Sequence, residues 1–358
     1  MTTTKNRDIL LVGSVPLANA EHVFRTVASI LGEKVHRIPD GETGIARSVW
    51  IQCQTPFFLG HPHLEMVEPD PTKSGAYRPA RIPSGGIYSY TRAERYKGRA
   101  RLRPGVSPSE LRFDNLGYAD WAQESYTIFN SLQSVGDVPG STRFQVSVPS
   151  PQAPLQLSVL PEERPKIEPS YEAGIVQEIA RMAAVIPASE LAIQWDCTEP
   201  LQYETASPDG RRDLIERLIR IGGYVPAGVE LGYHLCYGDL EHTHIREPED
   251  LGTLVEIANA IAAGVTRTID WMHMPVPRSR SDDAYFAPLR TLQLPPKTRL
   301  YLGLVHYTDG VEGARTRLLT AEQMVSDFGI ATECGFGRRP REQDIRELLH
   351  LHAQIAAL

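Results

Sequence analysis

The chain has four cysteines in 358 residues, Cys53, Cys197, Cys236 and Cys334, too few and too scattered for a disulfide scaffold. It lacks any run of about 18 apolar residues, the length that would span a bilayer. The start, MTTTKNRDILLVGS, has no apolar stretch behind a basic opening of the kind a secretory signal carries. A surplus of positive charge is also missing: the formal net charge is −7, and the one basic stretch, Arg92 to Arg103, reads as a solvated loop. No internal repeat or low-complexity segment occurs. These absences argue against a secreted disulfide-rich domain, a membrane span, a nucleic-acid surface and a solenoid. They leave the expectation of a soluble, cytoplasmic protein whose partners are small molecules.

What is present is an alternation of short apolar or β-branched runs with longer helical patterns. Eight strands are expected, at Ile9–Val12, Lys34–Ile38, Arg143–Val148, Leu191–Trp195, Val229–His234, Thr266–Met272, Arg299–Val305 and Gly329–Thr332. Helical patterns lie between and after them, at Ala20–Leu31, Tyr118–Val135, Tyr171–Ile186, Arg211–Tyr224, Pro248–Ala263, Gly310–Phe328 and Arg341–Ala357. In the fourth of these, Leu214, Ile215, Leu218, Ile219 and Ile221 gather on one face and Glu216, Arg217 and Arg220 on the other. Eight strands alternating with helices predict an α/β fold, a single (β/α)8 TIM barrel over residues 1–358 with its active site at the C-terminal strand ends. A stretch rich in Pro, Gly, Tyr and Arg, about 55–110, breaks the rhythm and reads as an insertion; Tyr88, Tyr90, Arg92 and Arg95 are candidate lid contacts or an aromatic-stapled excursion.

Unusual polar residues fall just after the strands. Ser14 follows the first, Asp40 and Glu42 the second and Asp196 the fourth; His234 and Cys236 end the fifth, His273 the sixth and His306 the seventh, and Cys334 follows the eighth. On an extended strand end, His234 and Cys236, two residues apart, share a face. A barrel closed by its last strand brings Cys334 to the same mouth. Two thiolates and an imidazole favour zinc over hard cations.

Gly232-Tyr233-His234-Leu235-Cys236-Tyr237-Gly238-Asp239 and Glu333-Cys334-Gly335 resemble the zinc motifs of the C-terminal catalytic barrel of cobalamin-independent methionine synthase. Gly13-Ser14-Val15-Pro16 resembles that family's Gly-Ser-aromatic-Pro turn, Asp40-Gly41-Glu42 its second-strand glutamate loop, and Gln194-Trp195-Asp196 its Gln-Ile-Asp strand end. The resemblance implies His234, Cys236 and Cys334 as zinc ligands, Ser14, Glu42, Asp196 and Asp239 as contacts to a thiol substrate, and Asp196 and His306 as catalytic groups, with His306 moving a proton. The sequence departs from the family on the sixth strand. Where a glutamate ligand is expected, Ile269-Asp270-Trp271-Met272-His273-Met274-Pro275 places Pro275, which leaves the fourth zinc position to His273, water or substrate. The tryptophan turn after strand three is replaced by Val148-Pro149-Ser150-Pro151, and there is room for one barrel, so a folate donor is not implied.

By this resemblance the chain is expected to activate a small, homocysteine-like thiol as thiolate on Zn2+ for attack on an electrophilic carbon of an alkyl donor. An epoxide-opening thiol transferase shares that metal step. A lyase similar to uroporphyrinogen decarboxylase shares the barrel without metal and predicts that His234, Cys236 and Cys334 do not converge. A zinc-stabilised binding protein would lose its fold with the metal and show no thiol chemistry.

Overall fold

The computed structural model describes residues 7–44, 47, 51–67, 98–240, 243–244, 246–337 and 341–358. Among these, seven strands form one curled parallel sheet: β1 (Arg37–Pro39), β2 (Arg143–Pro149), β3 (Leu191–Cys197), β4 (Glu230–Leu235), β5 (Trp271–Pro275), β6 (Arg299–Val305) and β7 (Gly329–Thr332), side by side in that order. Seven long helices surround it: α1 (Ala20–Leu31), α2 (Tyr118–Ser134), α3 (Arg164–Val185), α4 (Pro208–Gly222), α5 (Gly252–Gly264), α6 (Gly310–Glu322) and α7 (Glu342–Ile355). The arrangement is consistent with a TIM-like barrel. No described helix is long and apolar enough to cross a membrane.

Seven strands stand where eight were expected. At Ile9–Val12 only Ile9 forms isolated bridges, to Val35 before β1 and to Ile330 in β7. The physical reason lies in the two carbonyls that follow. Leu11 O accepts from Gln145 Nε2 at 2.9 Å, while Val12 O accepts from Gln194 Nε2 at 2.5 Å and Ser147 Oγ at 3.1 Å. Side chains of β2 and β3 thus take the acceptors a strand ladder would use. β5 begins at Trp271 and not Thr266, because the segment before it is tied elsewhere. Arg267 donates to the carbonyls of Val225 and Pro226, and Asp270 Oδ2 accepts from Leu231 N at 2.8 Å.

Alternation along the strands divides the core in two. Leu10, Val12, Ala192, Trp271, Tyr301 and Ala331 form a small inner cluster, and the outward-facing residues pack under the helices. There Phe24 of α1 meets Phe129 of α2 and Phe144 of β2 edge-on, at centroid distances of 5.2 and 6.1 Å, pairs that add about 0.5–1.5 kcal/mol each beyond their burial. Two helix starts follow their sequence signals. Asn19 caps α1 by accepting from His22 N, and Ser207 before Pro208 caps α4 by accepting from Gly210 N. The described flanks of the insertion pair as an antiparallel ribbon, Leu64–Val67 with Arg99–Leu102; Tyr88, Tyr90, Arg92 and Arg95 lie outside the described residues.

Candidate metal centre

Parallel register places Asp196 of β3 opposite His234 of β4, and His234 opposite His273 of β5, so three polar side chains stand abreast at the C-terminal strand ends. Strand period then puts Cys236 beyond His234 on the same side, and the turn after β7 delivers Cys334. His234, Cys236 and Cys334 each bring one ligand atom within 4.8 Å of the others. Around one tetrahedral zinc, with Zn–S near 2.3 Å and Zn–N near 2.0 Å, such atoms stand roughly 3.5–3.8 Å apart, so a slight contraction seats an ion. Two soft sulfurs and an imidazole are the donor set zinc prefers, and the three residues fit the group. The convergence is the opposite of what the metal-free lyase reading requires.

His273 does not join that group. Its Nδ1 lies 2.7 Å from Nδ1 of His234, and its Nε2 lies 3.0 Å from the carbonyl oxygen of Thr332. Complete burial pushes this imidazole down to about 3. Pro275, at the position of the expected glutamate, ends β5.

Asp196 is buried beside the three, its Oδ1 accepting from Gln194 Nε2 at 2.7 Å. Burial, reinforced by the nearby Glu42 carboxylate, pushes its carboxyl well above the usual range against the opposing effect of the Gln194 amide. Ser14 Oγ donates to Glu42 Oε2, and Phe336 N donates to Ser14 O at 2.7 Å, which joins the first polar turn to the turn carrying Cys334. Gly335 packs so near this turn that a Cβ there would lie 2.8 Å from Ser14 N. Glu42 sits at φ +53°, just after Gly41 at φ +79°. Asp40, one residue before that glycine, serves as an anchor: Arg47 grips it at 2.5 and 3.0 Å, Ser125 Oγ donates to it at 2.7 Å, and it accepts from Glu42 N at 2.9 Å. Burial alone would raise the Asp40 carboxyl, and the Arg47 guanidinium more than offsets this and holds it low.

His306 Nε2 donates to Val276 O at 2.8 Å, which leaves Nδ1 facing Glu333 Oε1 at 3.7 Å. In the sequence Glu333 stands out only as the neighbour of Cys334. Strand period carries it inward, because it follows β7 directly and stands two residues beyond the inward-facing Ala331. The backbone of Asp239 pairs with His244 in a two-residue ribbon; its side chain lies outside the described residues. Cys197 points away from Asp196 into the outer core beside Trp195. Of the arginines after β5, Arg280 binds Asp282, whereas Arg278 donates to Thr308 Oγ1 at 2.8 Å. Arg338 and Arg339 lie outside the described residues.

No protein-family model matches the chain, and no curated protein matches it. Solved structures share its fold at low identity. A B12-independent methionine synthase from Shewanella sp. W3-18-1, in complex with selenomethionine, superposes with a TM-score of 0.58 at 13% identity, covering 98% of this chain and 97% of that one. A methyltransferase from Methanosarcina mazei gives 0.55 at 11% identity over 98% and 95%. A protein of Listeria monocytogenes assigned as a vitamin-B12-independent methionine synthase gives 0.51 at 13% identity over 94% and 86%.

Proposed function

We propose that this chain is a zinc-dependent methyl or alkyl transferase that activates a small, homocysteine-like thiol for attack on an electrophilic carbon. The observation that carries the reading is the convergence of His234, Cys236 and Cys334 beside the buried carboxyl of Asp196. The shared fold of the methionine synthase and methyltransferase structures supports it. In this reading the chain is one catalytic unit over residues 1–358, with Ile9–Val12 as the eighth stave and residues about 55–110 as an insertion at the mouth. It works in the reducing cytoplasm, where its cysteine ligands stay reduced.

Zinc, when bound, stabilises a thiolate over a thiol at neutral pH. The chain's own residues then divide the work. Asp196, Ser14 and Glu42 bind and orient the amino end of the thiol compound, with Asp239 beside the ligand turn. His306, anchored through Nε2 to Val276 O, holds a proton at Nδ1 next to Glu333 and delivers it to the leaving group. The sulfur–carbon bond forms as the bond from that carbon to its leaving amine or oxygen breaks. An epoxide as electrophile would use the same groups, with the opened-ring alkoxide taking the His306 proton.

The test is the metal content of purified wild type, Cys236→Ala and Cys334→Ala, with the zinc K-edge spectrum followed during titration with homocysteine and other small thiols. Near-stoichiometric zinc in the wild type, its loss in both variants and an added sulfur on titration are expected. A wild type that holds no specific metal would sink the reading.

A further inference from the structure

His273 occupies the strand position nearest to the missing glutamate ligand, yet both of its nitrogens are committed. The Thr332 carbonyl can only accept, so the hydrogen of the 3.0 Å contact belongs to Nε2 of His273. The ring is fully buried, with no carboxylate in contact among the described residues, and such a site favours the neutral, singly protonated imidazole. Its Nδ1 therefore carries a lone pair. The 2.7 Å contact between the two Nδ1 atoms needs one hydrogen, and only His234 can supply it. His234 is then the Nδ1–H tautomer, with its lone pair on Nε2, the form a histidine must take to bind a metal through Nε2.

We infer that His273 is a positioning residue that fixes the tautomer and ring orientation of His234 through a Thr332–His273–His234 relay, and that the metal's first shell has three protein donors with its fourth position left to the thiol. This rests on the metal reading above. β5 thus supplies an acceptor behind a ligand in place of a ligand. The relay also ties three strands together, because His234, His273 and Thr332 stand on β4, β5 and β7.

Two measurements test it. In 15N-histidine NMR of the metal-free full chain, His234 should show the Nδ1–H tautomer and His273 the Nε2–H tautomer; the reverse assignment for either ring overturns the inference. Chelator competition should show zinc bound about 10- to 100-fold more weakly by His273→Leu, with two sulfurs and an unchanged nitrogen count at the K-edge. His273→Asn, whose Oδ1 can still accept from His234, should recover part of that loss. Loss of a first-shell nitrogen in His273→Leu would make His273 a ligand, and unchanged affinity would make the relay idle; either result overturns the inference. Should wild type bind no zinc, the metal reading fails while the tautomers still decide the histidine pair. Should the leucine variant not fold, the tautomers and the asparagine variant decide it.

Discussion

Gly232 lies so close to Trp271 that a Cβ on the glycine would fall 1.8 Å from Cε2 of the indole. The indole Nε1 donates to Gln194 Oε1 at 3.1 Å, and Gln194 Nε2 donates to Asp196 Oδ1 at 2.7 Å. Arg37 stacks over the same ring at 4.3 Å and is paired with Glu230. The floor of the site is therefore a chain of contacts running from a glycine to the carboxyl beside His234, Cys236 and Cys334. Gly232→Ala should displace the indole and destabilise the fold by about 3 kcal/mol or more, measured by chemical denaturation. A loss below about 1 kcal/mol would show that the ring is not seated there.

Gln194 is the hinge of that chain, since its amide also serves the Val12 carbonyl. Gln194→Leu leaves the Trp271 N–H without its acceptor and removes a donor from both Asp196 and Val12 O in a buried place. A destabilisation of about 2–4 kcal/mol is expected. Thiol binding, followed by calorimetry on the zinc-loaded protein, should weaken as well, because the Asp196 carboxylate loses the donor that favours its charged form. Full retention of binding would separate Asp196 from the substrate.

Glu42 offers the opposite combination. A non-glycine residue at φ +53° carries backbone strain of about 1 kcal/mol, which Glu42→Gly relieves. The same change removes the carboxylate that accepts from Ser14 and faces Asp196. Melting temperature should hold or rise while thiol binding falls. A clear drop in stability would assign Glu42 to the fold and not to the site.

His352 sets an acid limit on stability. It is fully buried on α7, with Nδ1 donating to Leu348 O at 2.7 Å and Nε2 without a hydrogen-bond partner among the described residues. Burial pushes it down to about 4. In the unfolded chain it takes a proton near pH 6.5, so between about 6.5 and 4 the unfolded state gains a proton that the folded state refuses. Stability is lost as pH falls through that window, on the order of 3 kcal/mol in all. His352→Leu should be neutral or slightly stabilising at pH 7.5 and should flatten the acid side of a denaturation series. His273, pushed to about 3, adds slope of the same sign in both proteins. An unchanged slope in the variant would assign the acid sensitivity to other groups.

Much of this architecture is local and could be read from the chain. β6 and β7 begin and end where their apolar runs do, and Asn19 and Gly32 bracket α1. His234 and Cys236 share a face by strand period alone, and the last strand's return brings Cys334 to them. The misses come from side chains acting at a distance. Gln145, Ser147 and Gln194 take the carbonyls of Leu11 and Val12, and no local propensity announces that. Asp40 and Glu42 look alike in sequence, yet Arg47, seven residues on, claims the first as an anchor and leaves the second for the mouth. The role of His273 depends on a carbonyl 59 positions away.

Ser14 and the turn of Cys334 to Phe336 meet at the mouth, with Phe336 N bonded to Ser14 O and Ile9 bridged to Ile330 below. Contacts this remote in sequence close slowly, because the loop-closure entropy must be met before the contacts repay it. Of the three candidate donors, Cys334 thus arrives only after β7. A chain still emerging from the ribosome carries His234 and Cys236 before Cys334, and so holds two of these three candidate donors during that interval. In the proposed zinc reading, tight metal binding becomes a report that β7 has joined the sheet beside β6.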